Sequence, residues 1–428
     1  MIEAIKKIDS SEALKIRLIQ SPKFKTNLTG LFLLRPLTEK EASMLALVSR
    51  LMKRGTKNHP GSKAFNDRLE ELYGAVFSAD VTKYGERLGL QVKIQVPNPR
   101  YVAHKEIFKE AIDFLREAVF ELATDGSGFI SEAFEQEREN LIQEIHSRVN
   151  DKMTYAVDRC IEFMCHDEPF SVYQYGSVAM LQSLTNPEVY EYYRQILKSS
   201  AMTLIAIGDF DFPETTQIIR EVFRETTDPG RVSPERNPEE KTVENVRTVK
   251  ETLKVNQGKL TLGYRTGIRY DHPLYEASVL FSTILGGGGS SKLFQNIREK
   301  ESLCYYIFSK VEKFKSLMII SSGIDTLDYQ RTLDLVLEEV EKMKRGEFTE
   351  EDLETAKEII VSSIESLSDY PNSFLNYYFS RELTGRAYDE KEIIAEVMAV
   401  TKEEVMAAGG HYQLDTIHFI EGGQNHED

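Results

Sequence analysis

The chain has 428 residues, with 53 lysines and arginines against 69 aspartates and glutamates, and a formal net charge of −16. This acidic balance argues against nucleic-acid binding, because affinity for a phosphate backbone comes mainly from clustered Lys and Arg side chains. Single hydrophobic cores stop growing at about 250–300 residues, so the length predicts at least two domains.

The sequence favours a cytoplasmic protein without a membrane span. Its three cysteines, Cys160, Cys165 and Cys304, are too few for a disulfide framework or a four-thiolate metal site. Lys, Glu and Asp interrupt the first twenty residues, where a signal peptide would need a continuous apolar region. No stretch approaches the roughly 18 apolar residues of a transmembrane helix.

Hydrophobic periodicity predicts one series of elements twice in the chain. In the first half, a strand at 31–36 leads into a helix at 39–53, and the segment 63–81 contains a helix followed by a strand. A further strand at 88–96 and two helices at 105–122 and 129–147 complete the series. The second half repeats them in the same order, at 259–267, 272–285, 292–311, 316–324, 329–344 and 348–366. The last pair aligns without a gap, at a constant offset of 219 residues (348 − 129).

A segment rich in proline and charge, 225–244, separates the two series and has the composition of an exposed linker. We therefore predict an N-terminal domain at 1–224 and a C-terminal domain at 245–428. The expected fold class is α+β: two homologous domains related by pseudo-symmetry, each a mainly antiparallel sheet packed with helices. Two unrelated α+β domains with chance similarity are the alternative.

Four segments carry a resemblance that spans essentially the whole chain. They are 53–62, 137–145, 155–177 followed by 201–211, and 285–306. In this order they resemble the pitrilysin/insulinase-type zinc peptidases, a family that includes the mitochondrial processing peptidase and related bacterial two-domain proteins. Active members carry H-x-x-E-H on a helix, where two histidines bind zinc and the glutamate activates the metal-bound water. A glutamate from a later helix is the third ligand.

The resemblance places the zinc motif on residues that cannot perform its chemistry. In the family the motif ends a few residues before a Gly-Thr pair, here Gly55-Thr56, and this spacing points to Ala46, Ser49 and Arg50. Ala46 has no donor atom, and Ser49 cannot act as a carboxylate base. Arg50 is permanently cationic and would repel Zn²⁺. We therefore predict neither catalytic residues nor metal ligands in this chain.

The later helix keeps the family's paired acidic positions, Glu137 and Glu144, and Glu144 corresponds to the third zinc ligand. Without the histidines, these carboxylates are expected to be solvated helix charges or members of ion pairs. An Arg50–Glu144 pair in place of the metal is one hypothesis. Cys165, its neighbouring histidine and Cys160 are interpreted as structural rather than as replacement ligands.

One part of the family's machinery is retained in the second half. In two-domain members an Arg and a Tyr with R-x(6)-Y spacing hold the substrate backbone and polarise its carbonyl, and Arg298 and Tyr305 match that spacing. A guanidinium and a phenol can both donate hydrogen bonds to a carbonyl oxygen as it gains negative charge. Without the resemblance, the two would be ordinary residues of an amphipathic element. The surrounding segment, 285–306, favours a substrate-binding role.

The glycine run Gly286, Gly287, Gly288 and Gly289 does not match G-x-x-x-x-G-K-[ST], so a nucleotide site is rejected. Its simplest role is to end the preceding helix. The resemblance implies a flexible loop at the mouth of a cavity, and we include the four glycines as a substrate-binding element.

The sequence thus predicts a catalytically silent peptidase subunit that needs no cofactor of its own. A sister subunit with H-x-x-E-H would supply zinc in a heterodimer, and this chain would help to bind a peptide or unfolded polypeptide in a clamshell-like cavity. The substrate would lie extended along a sheet edge. One alternative is a stand-alone or homodimeric peptide-binding or assembly protein. Another is an active zinc peptidase with unrecognised ligands.

Overall fold

The chain divides into two compact units. The first comprises Met1–His146, Val172–Arg236 and Leu367–Ser380, and the second comprises Ser147–Ser171, Asn237–Ser366 and Arg381–Asp428. The computed structural model describes residues 4–9, 13–224, 234, 241–367, 369–386 and 390–422. Most of the predicted linker, 225–233 and 235–240, lies outside these described residues.

Each unit includes a segment from the other half of the sequence. Residues 147–171 belong to the second unit, and residues 367–380 belong to the first. The predicted division into contiguous domains, 1–224 and 245–428, did not anticipate this exchange. Periodicity identifies an amphipathic helix but does not tell which sheet the helix covers.

In the described part of the first unit, the strands are β1 (Ala4–Asp9), β2 (Leu14–Gln20), β3 (Thr26–Pro36), β4 (Val76–Tyr84), β5 (Arg87–Pro97) and β6 (Met202–Gly208). They form one sheet in the order β1-β2-β6-β3-β5-β4. The β2–β6 pair is parallel, and the other pairs are antiparallel. Alternate residues of β5, from Leu88 to Val96, enter the main apolar core of this unit.

The described helices of the first half are α1 (Glu39–Leu51), α2 (Gly61–Glu71), α3 (Ile107–Phe120), α4 (Ser131–Ser147), α5 (Lys152–Met164), α6 (Val178–Ser183), α7 (Asn186–Ser199) and α8 (Phe212–Val222). Helix α5 belongs to the second unit. Helix α1 contributes seven of its 13 residues to the core of the first unit, and α3 contributes a full apolar face.

The described strands of the second unit are β7 (Arg247–Leu253), β8 (Gly258–Arg265), β9 (Cys304–Glu312), β10 (Leu317–Ile324) and β11 (Gln413–Gly422). Their order is β7-β11-β8-β10-β9, with β7 and β11 parallel and the other pairs antiparallel. The second half also contains a short π-helix (Phe294–Lys300) and the helices α9 (Tyr275–Gly286), α10 (Tyr329–Lys344), α11 (Glu350–Leu367), α12 (Pro371–Thr384), α13 (Glu390–Ala399) and α14 (Lys402–Gly410).

The two sheets share one topology. Apart from the additional strand β1, the order β2-β6-β3-β5-β4 in the first unit corresponds to β7-β11-β8-β10-β9 in the second, including the single parallel pair. Helix α4 begins at Ser131 and α11 begins 219 residues later, at Glu350. The predicted α+β class with a repeated, mainly antiparallel sheet is therefore confirmed.

The exchanged segments pack closely within the units that they join. A Cβ atom added at Gly263 of β8 would lie 2.6 Å from Met164 Sδ and 3.4 Å from Cys160 Sγ, both on α5. In the first unit, the ring of Phe379 stacks on Phe32 of β3, with centroids 4.0 Å apart and planes inclined by 14°. Within the described part of the chain, no helix combines the length and apolar character needed to cross a bilayer.

Candidate functional site

Helix α1 holds the three positions of the degenerate motif. The helix begins after Thr38, whose side chain accepts a hydrogen bond from Glu41 N at 3.2 Å. A threonine cap, early acidic residues and a basic residue in the last turn all complement the exposed ends of a helix. Ala46, Ser49 and Arg50 lie in the last two turns.

The side chains at two of these positions are completely buried. Ala46 and Ser49 are both 0 % exposed. The hydroxyl of Ser49 donates to the carbonyl oxygen of Ala46 at 2.7 Å, a bond made inside the same helix. Neither side chain presents a ligand atom or a base to solvent.

Arg50 forms an ion pair with Glu144 of α4. Arg50 Nη2 lies 2.7 Å from Glu144 Oε2, and the side chains are 19 % and 43 % exposed. The guanidinium also lies over the ring of Tyr175, 5.3 Å from its centroid. The hypothesis of an Arg50–Glu144 pair is therefore confirmed: a cation and a carboxylate meet where the resemblance implies a metal and its third ligand.

Two residues that the sequence analysis missed lie beside this pair. The hydroxyl of Tyr175 donates to Asp80 of β4, at 3.2 Å from Oδ1 and 3.3 Å from Oδ2. Burial, together with the charge of Asp80, raises the pKa of Tyr175 to about 12. The phenol therefore remains a protonated donor at neutral pH. The presence of Tyr175 in the segment 155–177 was the only sequence signal for it.

The second acidic position of α4 is also paired. Glu137 is 7 % exposed and accepts a hydrogen bond from Arg54, which follows α1. Residues seven apart occupy the same face of a helix, two turns from each other. Glu137 and Glu144 thus each bind one cation from the end of α1, and the ion-pair interpretation of the two glutamates is confirmed.

A third cation, Lys53, lies in the same cluster without a bonding partner. Its side chain is half-buried, and among the described residues its ammonium makes neither a hydrogen bond nor an ion pair. Burial and the positive charge of Arg50 lower the pKa of Lys53. They outweigh the attraction of the three nearby carboxylates, Asp80, Glu137 and Glu144.

Within the described ranges, no group of three or more His, Cys, Asp and Glu side chains could hold a metal ion. Cys160 and Cys165 are buried thiols. Burial raises the pKa of the Cys160 thiol, so this group stays protonated. Arg265 Nη2 lies 3.9 Å from Cys165 Sγ. These surroundings support the structural interpretation of both cysteines.

Arg298 lies on the π-helix Phe294–Lys300 of the second unit. Its guanidinium lies over the ring of Phe294, 4.6 Å from the centroid, and its Nε is 3.9 Å from Glu299 Oε1. The side chain is 40 % exposed. Most of its five N–H donors are therefore available to a ligand.

Tyr305 is the second residue of β9 and is 66 % exposed. Among the described residues, its hydroxyl has no hydrogen-bond partner. Burial raises the pKa of the neighbouring Cys304 to about 11, and the charge of Arg298 opposes this rise. The charge of Arg298 therefore acts on Cys304, the first residue of β9 and the neighbour of Tyr305 in the sequence.

The run Gly286–Gly289 ends helix α9, as predicted. Gly286 is the last helical residue, and Gly287 N donates to Thr283 O at 2.8 Å. A Cβ atom at Gly286 would lie 2.4 Å from Ser309 N, so this glycine is required by the close approach of β9. Added Cβ atoms at the last two glycines would meet nothing within 4 Å. Gly287, Gly288 and Gly289 are exposed, whereas Gly286 is buried.

Comparisons with known proteins identify relatives of this chain over most of its length. A family model described as "Peptidase M16 inactive domain" matches residues 183–360. A protein of Bacillus subtilis (strain 168), "Probable inactive metalloprotease YmfF", is 32% identical over 411 residues, covering 96% of each chain. A second protein of that strain, "Uncharacterized zinc protease YmxG", is 29% identical over 152 residues, covering 35% of this chain and 37% of that protein.

The fold is also that of a solved structure. The crystal structure of a conserved protein from Enterococcus faecalis V583 has a TM-score of 0.90 to this chain, with 27% sequence identity. The match covers 99% of this chain and 100% of the other.

Proposed function

This chain belongs to the M16, or pitrilysin-type, peptidase family as an inactive-type member, and we propose that it is the silent, peptide-binding subunit of a heterodimeric zinc peptidase. One observation carries the proposal. Where active members place two zinc-binding histidines, this chain has Ala46, which is 0 % exposed, and Arg50, which is paired with Glu144 at 2.7 Å. Zinc and the water-activating glutamate would come from a sister subunit with H-x-x-E-H.

Substrate binding would fall to Arg298 and Tyr305. Their side chains are 40 % and 66 % exposed, and both are hydrogen-bond donors. Donors aimed at a peptide carbonyl stabilise the negative charge that develops on its oxygen during hydrolysis. The open glycines of the run Gly286–Gly289 would let a peptide backbone approach closely.

An edge strand supports an extended substrate. Tyr305 lies on β9, which is the last strand of its sheet. An edge strand presents unpaired N–H and C=O groups to which an extended peptide can add. The substrate class would therefore be peptides and unfolded polypeptides.

Relatives and cysteine chemistry support the remaining parts of the proposal. Bacillus subtilis (strain 168) has one relative named as a probable inactive metalloprotease and another named as a zinc protease, which are the two subunit types that a heterodimer requires. The three cysteines of this chain are buried thiols. That state suits a reducing compartment and supports a cytoplasmic location.

The test is reconstitution with a homologue that carries H-x-x-E-H, to be sought in the genome that encodes this chain. Each chain alone, and the mixture, would be incubated with zinc and a quenched fluorescent peptide library. Turnover is expected only in the mixture and should be abolished by a chelator. Arg298→Ala and Tyr305→Phe should each lower kcat/KM of the mixture by at least about tenfold.

Matched controls separate this role from a general surface effect. Arg345 is 56 % exposed and Tyr101 is 57 % exposed, so Arg345→Ala and Tyr101→Phe remove comparable groups elsewhere. Both variants should retain full activity in the mixture. Unchanged activity of the Arg298 and Tyr305 variants would refute their role. Peptide binding without activity in any mixture would favour the stand-alone or homodimeric alternative, and chelator-sensitive turnover by this chain alone would favour an active peptidase.

A further inference from the structure

Three cationic side chains stand at the end of α1. Arg50, Lys53 and Arg54 follow one another within a single turn, and the helical turn continues to Lys53, whose N–H donates to Arg50 O at 3.2 Å. Positive charges are favoured at this end of a helix because its last carbonyl groups are unpaired. Helix α4 supplies two carboxylates, Glu137 and Glu144, which bind Arg54 and Arg50.

Asp80, the third carboxylate near this cluster, makes neither a hydrogen bond nor an ion pair with Lys53 in the described part of the chain. Asp80 accepts hydrogen bonds from the Tyr175 hydroxyl and from Val81 N. Among the described residues, Lys53 binds no carboxylate, although its side chain is half-buried. Burying a charge without a partner costs free energy, which a bound counter-charge would offset.

Arg50, in the same cluster as Lys53, has N–H donors that do not bind Glu144. Its Nη2 binds Glu144, and within the described part of the chain its other N–H groups bind no protein acceptor. The side chain is 19 % exposed, so solvent reaches the guanidinium. An ammonium and a guanidinium on neighbouring turns therefore offer several N–H donors to one external acceptor.

We propose that Lys53 and Arg50 form a carboxylate-binding site on the first unit, at the position where active relatives bind zinc. The site would take either an acidic side chain or the C-terminal carboxylate of a bound peptide. This inference rests on the peptide-binding part of the proposed function, and it assigns to that function a substrate class, acidic peptides. At this position, the cationic side chains of Lys53 and Arg50 would thus take the place of the zinc ion.

The test measures fluorescence anisotropy of three labelled decapeptides with the full chain. The peptides are rich in Ala and Ser and differ only in charge. The first has a central Glu and an amidated C-terminus, the second has Gln in that place with the same amide, and the third has Gln with a free C-terminal carboxylate. We expect the first or the third peptide to bind roughly tenfold more tightly than the second, the gain of one charge-assisted hydrogen bond.

Variants of the chain connect this preference to the site. Lys53→Met keeps the length of the side chain and removes its charge, so it should abolish the preference for the carboxylate peptides. Lys53→Arg should retain the preference. Lys57→Met, at an exposed lysine four residues further on, is the matched control and should also retain it.

The outcomes distinguish this inference from the function on which it rests. If wild-type protein binds all three peptides equally, or if Lys53→Met keeps the preference, the carboxylate site is refuted while peptide binding stands. If wild-type protein binds none of the peptides, the peptide-binding function is refuted together with the site. If the preference is lost in Lys53→Met alone, the site is supported. Tighter binding of the first peptide would then identify a Glu side chain as the source of the carboxylate, and tighter binding of the third would identify the C-terminus.

Discussion

Arg265 of β8 binds Glu168 with a two-pronged hydrogen bond, from Nη1 to Oε2 at 3.1 Å and from Nη2 to Oε1 at 2.5 Å. Lys315 Nζ lies 2.6 Å from the same carboxylate. Glu168 lies in the exchanged segment 147–171 and is 5 % exposed in this pair. A buried carboxylate between two cations therefore ties the exchanged segment to the second sheet.

This cluster predicts a loss of stability in acid. Burial raises the pKa of Glu168, but the hydrogen bonds and charges of Arg265 and Lys315 outweigh it and lower the pKa below its usual value. A lowered pKa in the folded state stabilises the fold above the unfolded-state pKa of about 4.3, and this contribution is lost as the pH falls through the folded-state pKa.

Glu168→Gln should therefore cost about 3 kcal/mol of unfolding free energy at pH 7, because it removes the charge that pairs with buried Lys315 and one of the two carboxylates that bind Arg265. The difference from wild type should shrink as the pH is lowered below about 4. Urea unfolding at a series of pH values measures both. Glu341→Gln, at a side chain that is 56 % exposed, is the control and should change little. A difference independent of pH would show that the charge of Glu168 does not stabilise the fold.

Because α5 packs closely on β8, adding one methyl group at Gly263 should lower the stability of the fold. Gly263→Ala would place a Cβ atom 2.6 Å from Met164 Sδ, so either the helix or the strand must move. Overpacking of this kind costs about 1–3 kcal/mol. Gly289→Ala is the matched control, because its Cβ atom would meet nothing within 4 Å. Thermal unfolding of the two variants compares them, and equal midpoints would contradict the close approach.

The Arg50–Glu144 pair should contribute modestly to stability. Because the Glu144 side chain is 43 % exposed, solvent screens the pair, and we expect a coupling energy of about 0.5–1 kcal/mol. A double-mutant cycle with Arg50→Ala and Glu144→Ala measures it. The Lys63–Asp67 pair, with side chains 91 % and 59 % exposed, should give a coupling near zero in the same cycle. Equal coupling energies for the two pairs would mean that partial burial does not strengthen the Arg50–Glu144 pair.

Restoring the first histidine of the motif should damage the fold. Ala46 is 0 % exposed and lies in the apolar core, so Ala46→His must displace its neighbours at a cost of about 1–3 kcal/mol. Ala103→His, at an exposed alanine, should be neutral. Urea unfolding in the presence of a chelator compares the two variants without any contribution from metal. A fully stable Ala46→His protein would show that this position still has room for a ligand.

Local elements followed from the sequence because each depends on a short pattern. The predicted helix 329–344 matches α10 (Tyr329–Lys344), and the predicted strand 88–96 lies within β5 (Arg87–Pro97). The π form of the helix that carries Arg298 was not predicted, because a segment of seven residues with one buried side chain, Ile297, shows no hydrophobic period.

The site was predictable only in part. The residues missing from the zinc motif were visible in one short stretch, and the family spacing suggested the pairing of Arg50 with Glu144. Lys53, Asp80 and Tyr175 come from separate elements, and only the folded chain brings them together. A residue without a bonding partner, such as Lys53, leaves no sequence signal at all.

The exchange of segments determines when each unit can be completed during synthesis. The ribosome releases residues 147–171 before any strand of the sheet that they cover. Helix α5 in this segment therefore cannot pack until those strands have been synthesised. The first unit, in turn, obtains residues 367–380 only near the end of translation, which leaves Phe32 without the stacked ring of Phe379 until then. A chain stopped before residue 367 therefore contains no finished first unit, and nascent protein in this state is a natural client for chaperones.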